Sequence, residues 1–175
     1  LIKNLKGKKY KLGFLYNKII NIWKNKKKNI VLNTATSLDR KLYATLLTYM
    51  PKKDIFEKIN SNDDHRGSFI EMLKTEKSGQ FAFFSINPGK QRGGHFHNTK
   101  NEKFVLINGI VELELKNMEN NQKIKKKLNS EDLMVFTSVP GWKHTFINKE
   151  KYKANILVWA NETLNLKKMD TYNVK

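Results

Sequence analysis

The sequence predicts an all-β barrel or sandwich over residues 61–175, preceded by a short α-helical segment over residues 1–60. Two observations carry this division. After about residue 63, short apolar runs recur at strand length and regular spacing, whereas before it apolar residues recur at helical spacing. A third, local one is Ile107-Asn108-Gly109-Ile110, where Asn-Gly supplies the positive φ angles of a tight hairpin turn between two apolar strands.

In the first segment, Phe14, Leu15, Ile19, Ile20 and Trp23 fall on one helical stripe. Ser37 is placed to cap a second run holding Leu38, Leu42, Leu46 and Leu47, which Pro51 closes. Lys24–Asn29 reads as a solvated helix end or connector. Two such helices do not make a domain, because their apolar stripes need covering. In the second segment the predicted strands are 68–73, 80–86, 104–107, 110–115, 133–136, 144–147 and 155–159.

Composition narrows the function. The 175 residues include no cysteine, which excludes disulfides and thiolate ligands, fits a reducing cytoplasm, and leaves His and carboxylates to hold any metal. The formal net charge of +18 comes almost wholly from Lys, with Arg only at Arg40, Arg66 and Arg92, and no nucleic-acid recognition motif accompanies it. An anionic small substrate fits this charge better than a nucleic acid does. No stretch approaches the roughly 20 apolar residues of a membrane span, and no signal-peptide pattern opens the chain, so no membrane role is expected. The chain begins at Leu1, which raises the expectation of a part upstream.

Three of the four histidines lie in two short segments, Gly94-His95-Phe96-His97-Asn98-Thr99-Lys100-Asn101-Glu102 and Pro140-Gly141-Trp142-Lys143-His144. In a strand, residues two apart share a face, so His95 and His97 project together while Phe96 points away. With Glu102 and His144 they make a plausible shell for one divalent Zn, Fe, Mn, Co or Ni ion. The spacing of Gly89, His95, His97, Glu102 and Gly109 resembles the first cupin motif at every position. Pro140-Gly141-Trp142-Lys143-His144, with Asn148, resembles the second, although its leading Gly is missing and Pro140 directly precedes Gly141. The resemblance implies a jelly-roll-like cupin barrel with His95, His97, Glu102 and His144 as metal ligands.

A closer resemblance follows. Asp63-Asp64-His65-Arg66-Gly67-Ser68-Phe69-Ile70-Glu71 and Gln91-Arg92-Gly93-Gly94-His95 resemble the sugar-nucleotide epimerase branch of cupins, typified by dTDP-4-dehydrorhamnose 3,5-epimerase. Gly79-Gln80-Phe81, Pro88-Gly89, Thr99–Phe104, Val139–Trp142 and Trp159-Ala160-Asn161-Glu162 extend it to the C-terminal domain of the CapF family of bifunctional capsular polysaccharide enzymes. That family implies metal-dependent epimerisation beside the ketone of a UDP-linked 4-keto-6-deoxy-N-acetylhexosamine on the route to UDP-N-acetylfucosamine. It also implies a homodimer, and an N-terminal short-chain reductase domain of which residues 1–60 would be the tail.

Before residue 60 the only glycines are Gly7 and Gly13, so no glycine-rich dinucleotide turn is present and no NADPH chemistry is expected of this chain. Tyr49 and Lys53 have a reductase-like spacing that Pro51 makes coincidental. Within the cupin, Arg66 and Arg92 are the expected diphosphate partners and zinc the expected metal. Phe69 and Trp142 could line the pocket, though core packing is the default for both. If three histidines are ligands, His65 is the only histidine left as a base. Two other readings share the ligand set: a non-catalytic metal-binding or dimerisation module, and an iron-dependent oxygenase.

Overall fold

A computed structural model describes residues 7–76, 78–163 and 170–174. The chain divides into two compact units, Leu1–Glu57 and Lys58–Lys175. No helix among the described residues is long and apolar enough to cross a membrane.

The first unit holds helix α1 (Leu12–Lys26), a two-residue strand β1 (Ile30–Val31), helix α2 (Ser37–Thr48) and a 3-10 turn at Lys52–Asp54. Both predicted helices form, but the cap of α2 differs by one residue. Thr36, not Ser37, takes the extended backbone of the cap, and its hydroxyl oxygen accepts the Asp39 N–H at 3.1 Å. A Lys18–Asp39 ion pair at 2.5 Å ties α1 to α2. Ile22 is the only described hydrophobic residue of this unit that is buried, whereas Leu12, Phe14, Tyr16 and Phe56 are exposed. Tyr49 lies just past α2 and is exposed, and Lys53 sits in the 3-10 turn beyond Pro51, so the reductase-like spacing does not fall on one helix.

The second unit is built from strands β2 (Ser61–Asp64), β3 (Gly67–Thr75), β4 (Gln80–Ile86), β5 (Gln91–Phe96), β6 (Glu102–Asn108), β7 (Ile110–Asn117), β8 (Lys123–Asn129), β9 (Val135–Thr137), β10 (Trp142–Ile147), β11 (Ala154–Ala160) and β12 (Tyr172–Asn173). One sheet runs β2-β3-β4-β11-β6-β9 and the other β12-β5-β10-β7-β8, all pairings antiparallel. This is the predicted cupin architecture.

Alternation along the strands fills the space between the sheets. Ala82, Phe84 and Ile86 of β4 meet Ile156 and Val158 of β11, Phe104 and Leu106 of β6, Val111 and Leu113 of β7, and Phe146 of β10. Phe84, Phe104 and Phe146 pack edge to face or tilted at 5.0 to 6.3 Å between centroids.

The expected Asn108-Gly109 hairpin is corrected. β6 and β7 do not pair with each other: β6 bonds to β11 and β9, while β7 bonds to β10 and β8. Gly109, at φ +98°, instead carries the chain from one sheet to the other. A Cβ there would lie 3.1 Å from Ala154 Cα, so the corner needs glycine.

Candidate metal centre

The candidate ligands continue the core rows toward one end of the sandwich. On β6 the inward row reads Glu102, Phe104, Leu106, and on β10 it reads His144, Phe146. β5 delivers His95, directly opposite His144 in the register, and His97 follows one residue beyond the strand end. Phe96, between them, points away and stacks on Tyr172 at 5.1 Å. β5 and β10 approach closely because residue 93 has no side chain: a Cβ on Gly93, at φ +95°, would sit 2.5 Å from the His144 carbonyl oxygen.

One donor atom from each of His95, His97, Glu102 and His144 lies within 4.8 Å of every other. The atoms of a tetrahedral shell with bonds near 2.1 Å lie about 3.4 Å apart, so a small contraction would close this set on a cation. His97 Nε2 is 3.1 Å and His144 Nε2 3.5 Å from the same Glu102 oxygen, Oε2.

Two features of the group suit a metal. First, His97 Nδ1 meets the Asp170 backbone carbonyl and donates to it, which turns Nε2 toward a carboxylate oxygen. Two acceptors at 3.1 Å require a proton or a cation between them. Second, His144 Nε2 converges with His97 Nε2 on the same buried carboxylate oxygen.

The protonation states agree. Burial first, and then the neighbouring imidazoles, push His95 and His144 down to about 4, so both rings are neutral near pH 7. Burial pushes the Glu102 carboxyl up, but the His97 hydrogen bond and the Lys100 ammonium outweigh it and hold the group at about 2, ionised.

His95, Glu102 and His144 of the cluster line a cavity of about 340 Å³ together with the aromatic rings of Phe84, Phe104 and Phe146. Arg66, Phe69 and Arg92 also line it. Arg92 is mostly buried: Nε donates to the Ser85 carbonyl at 3.0 Å, and Nη2 to the Gly67 carbonyl at 2.7 Å and to Asp64 at 3.3 Å. Arg66 sits at the mouth, its guanidinium held by Asp64 Oδ2 at 2.6 Å.

His65 is not brought to the site. It is exposed in the turn between β2 and β3 and does not line the cavity, and its carbonyl accepts from Asn87 at 3.2 Å. Trp142 does not line the cavity either.

Sequence reasoning missed Lys100, although it stands inside the quoted motif: its ammonium enters the cavity 2.7 Å from Glu102 Oε1. It also missed Thr171 and Asn173, which line the same cavity from a part of the chain with no apolar or motif signal.

A family model described as the polysaccharide biosynthesis C-terminal domain matches residues 62–172. The chain belongs to that family. Within it, the chain is similar to a UDP-2-acetamido-2,6-beta-L-arabino-hexul-4-ose reductase of Pseudomonas aeruginosa strain PA103, 34% identical over 92% of this chain and 43% of that protein. It is also similar to the crystal structure of the capsular polysaccharide assembling protein CapF of Staphylococcus aureus, with a TM-score of 0.87 and 27% identity, over 94% of this chain and 44% of that one. The resemblance to CapF read from the motifs is borne out. The chain thus spans less than half the length of these relatives. The CENP-C cupin domain of Drosophila melanogaster matches in fold alone, with a TM-score of 0.50 at 9% identity over 59% of this chain and 75% of that one.

Proposed function

We propose that this member of the polysaccharide biosynthesis C-terminal domain family is a metal-dependent epimerase. Its substrate in this reading is a UDP-linked 4-keto-6-deoxy-N-acetylhexosamine on the route to UDP-N-acetylfucosamine, used in capsular polysaccharide. The observation that carries the reading is that one cavity is lined by His95, Glu102 and His144 of the three-histidine, one-carboxylate cluster together with Arg66, Arg92 and Lys100. A passive metal module or an oxygenase would need the cluster but not the cations. The similarity to the P. aeruginosa protein and to CapF supports a nucleotide-sugar substrate.

Epimerisation beside a ketone breaks one C–H bond, moves the electron pair onto the ketone oxygen as an enolate, and returns a proton to the opposite face of the carbon. No oxidant or reductant is consumed, in keeping with a sequence that holds no glycine-rich dinucleotide turn. The difficulty is the charge on the enolate oxygen. His95, His97, Glu102 and His144 would hold the divalent ion, with zinc the choice for an all-imidazole and carboxylate set without thiolates. When bound, such an ion supplies Lewis acidity toward the ketone oxygen.

The Lys100 ammonium adds a fixed positive charge and a hydrogen-bond donor on the same side of the cavity. Arg66 at the mouth and Arg92 deeper in would meet the diphosphate, which competes with Asp64 for their donors. The Phe84, Phe104 and Phe146 rings and Phe69 keep bulk water from the sugar. The protein would act in the cytoplasm, as a homodimer, beside a reductase activity supplied by another domain or chain, with residues 1–60 as the tail of a short-chain reductase domain.

The test is deuterium exchange from solvent into the position beside the ketone of the UDP-4-keto-sugar, using this chain alone with zinc. Exchange that disappears on chelation supports the epimerase. No exchange by protein with stoichiometric metal would replace it with the passive module, and oxygen consumption would replace it with the oxygenase.

A further inference from the structure

The loop between His97 and Glu102 belongs to no strand, and Asn98 and Thr99 in it are exposed. Loops of this kind ordinarily leave their N–H groups to water. Here they converge on one side chain from the far end of the chain. Asp170 Oδ2 accepts the N–H groups of Thr99 at 2.6 Å and Lys100 at 2.8 Å and the Thr99 hydroxyl at 2.8 Å, and both carboxylate oxygens lie within 3.1 Å of the Asn98 N–H. Successive backbone N–H groups around one anion form a charge-assisted nest, stronger than the same bonds made to water.

The contact continues along the backbone. The Asp170 carbonyl accepts from His97 Nδ1, and the Thr171 hydroxyl lies 3.4 Å from the same nitrogen. β12 then pairs with β5, placing Tyr172 opposite Phe96 and Asn173 opposite His95, and the Val174 N–H reaches the Gly94 carbonyl at 3.1 Å. One short segment therefore touches His95 through strand pairing, His97 through its ring, and the loop that leads to Lys100 and Glu102.

We propose that Asp170 is a positioning residue of the metal centre: its carboxylate fixes the 98–100 loop and its carbonyl fixes the His97 ring, so that His97 Nε2 faces Glu102 and the Lys100 ammonium faces the cavity. The proposal rests on the reading of the cluster as a metal site. A carbonyl acceptor on Nδ1 selects the tautomer whose Nε2 carries the lone pair a cation needs, and partners of this kind are typically worth 10–100-fold in metal affinity. The carboxylate adds to the β12–β5 pairing by holding Asp170 itself, and with it the carbonyl, against the loop.

The test uses the wild-type chain, Asp170→Asn and Asp170→Ala, with Zn2+ and Co2+ as probes. Affinity is read by competition with a chromophoric chelator, geometry by the visible spectrum of the Co2+ form, and the His97 tautomer by imidazole 15N shifts of the Zn2+-loaded protein. Expected are a Zn2+ affinity 10–100-fold weaker in Asp170→Ala, a smaller loss in Asp170→Asn, which keeps one acceptor oxygen, an altered Co2+ spectrum, and a His97 ring that no longer holds the single Nδ1–H form. A capping role confined to fold stability would lower the melting temperature of the metal-free protein without moving these three readouts, and that result overturns the proposal. If Asp170→Ala does not fold, Asp170→Asn decides by the same criteria. A wild-type chain that fails to bind Zn2+ stoichiometrically overturns the metal reading together with the proposal, whereas tight wild-type binding with unchanged variants overturns the proposal alone.

Discussion

Replacing Glu102 with Gln isolates the carboxylate at the centre of the cluster. Glu102 is 7% exposed, and it is the only anion among the four donors. Its Oε2 faces His97 and His144 at 3.1 and 3.5 Å, and its Oε1 meets the Lys100 ammonium at 2.7 Å. With zinc at a hundred times its dissociation constant, binding adds about 2.7 kcal/mol to wild-type stability. For a chain of this size that raises the melting temperature by roughly 5–11 °C. Removing one partner of a buried charge pair costs about 3–5 kcal/mol, which corresponds to a loss of affinity of at least about a hundredfold. At the same zinc concentration the Glu102→Gln protein then gains only about 0.4 kcal/mol, or roughly 1–2 °C. The assay is differential scanning fluorimetry with and without zinc, each variant compared with its own metal-free baseline, so that the changed partner of Lys100 cancels. A zinc-dependent increment in Glu102→Gln equal to that of the wild type would refute the reasoning, and would leave the cluster as a hydrogen-bonded network without a metal.

Other substitutions separate the parts of the site. Gly93→Ala forces a side chain into positive φ and against the His144 carbonyl, so urea denaturation should show a loss of about 1–3 kcal/mol or more, with weaker zinc binding alongside. Lys100→Met should slow deuterium exchange about 10²–10³-fold while zinc affinity, read by chelator competition, stays within about tenfold. His65→Ala, outside the cavity, should leave exchange within about twofold of wild type. Arg66→Ala should raise the KM for the UDP-sugar with little change in exchange at saturation, because Arg66 stands at the mouth, away from the reacting carbon.

The candidate quartet was legible because it depends on rules that act over short spacing. His-x-His puts two imidazoles on one face of a strand, and Glu102 and His144 each begin an inward row whose next members, Phe104 and Phe146, are plainly core. Most strands were legible for the same reason, since a strand with one buried face alternates. β8 escaped because Lys123-Ile124-Lys125-Lys126-Lys127-Leu128-Asn129 buries only Leu128, and at the outer edge of its sheet even Ile124 remains 44% exposed. Composition alone makes that segment resemble a solvated connector.

Asn108-Gly109 misled for a different reason. The dipeptide reports a backbone able to take positive φ, and both a hairpin and a corner between sheets need that, so only the pairing of β6 with β11 and of β7 with β10 tells them apart. Asp170 was the least legible residue of the site, because its bonds run to backbone N–H groups some seventy positions away and backbone donors leave no mark in sequence. Long-range support of this kind is what distinguishes a set of ligand-type residues from a site: the motif supplies the donors, and the partners that aim them come from wherever the fold brings the chain back.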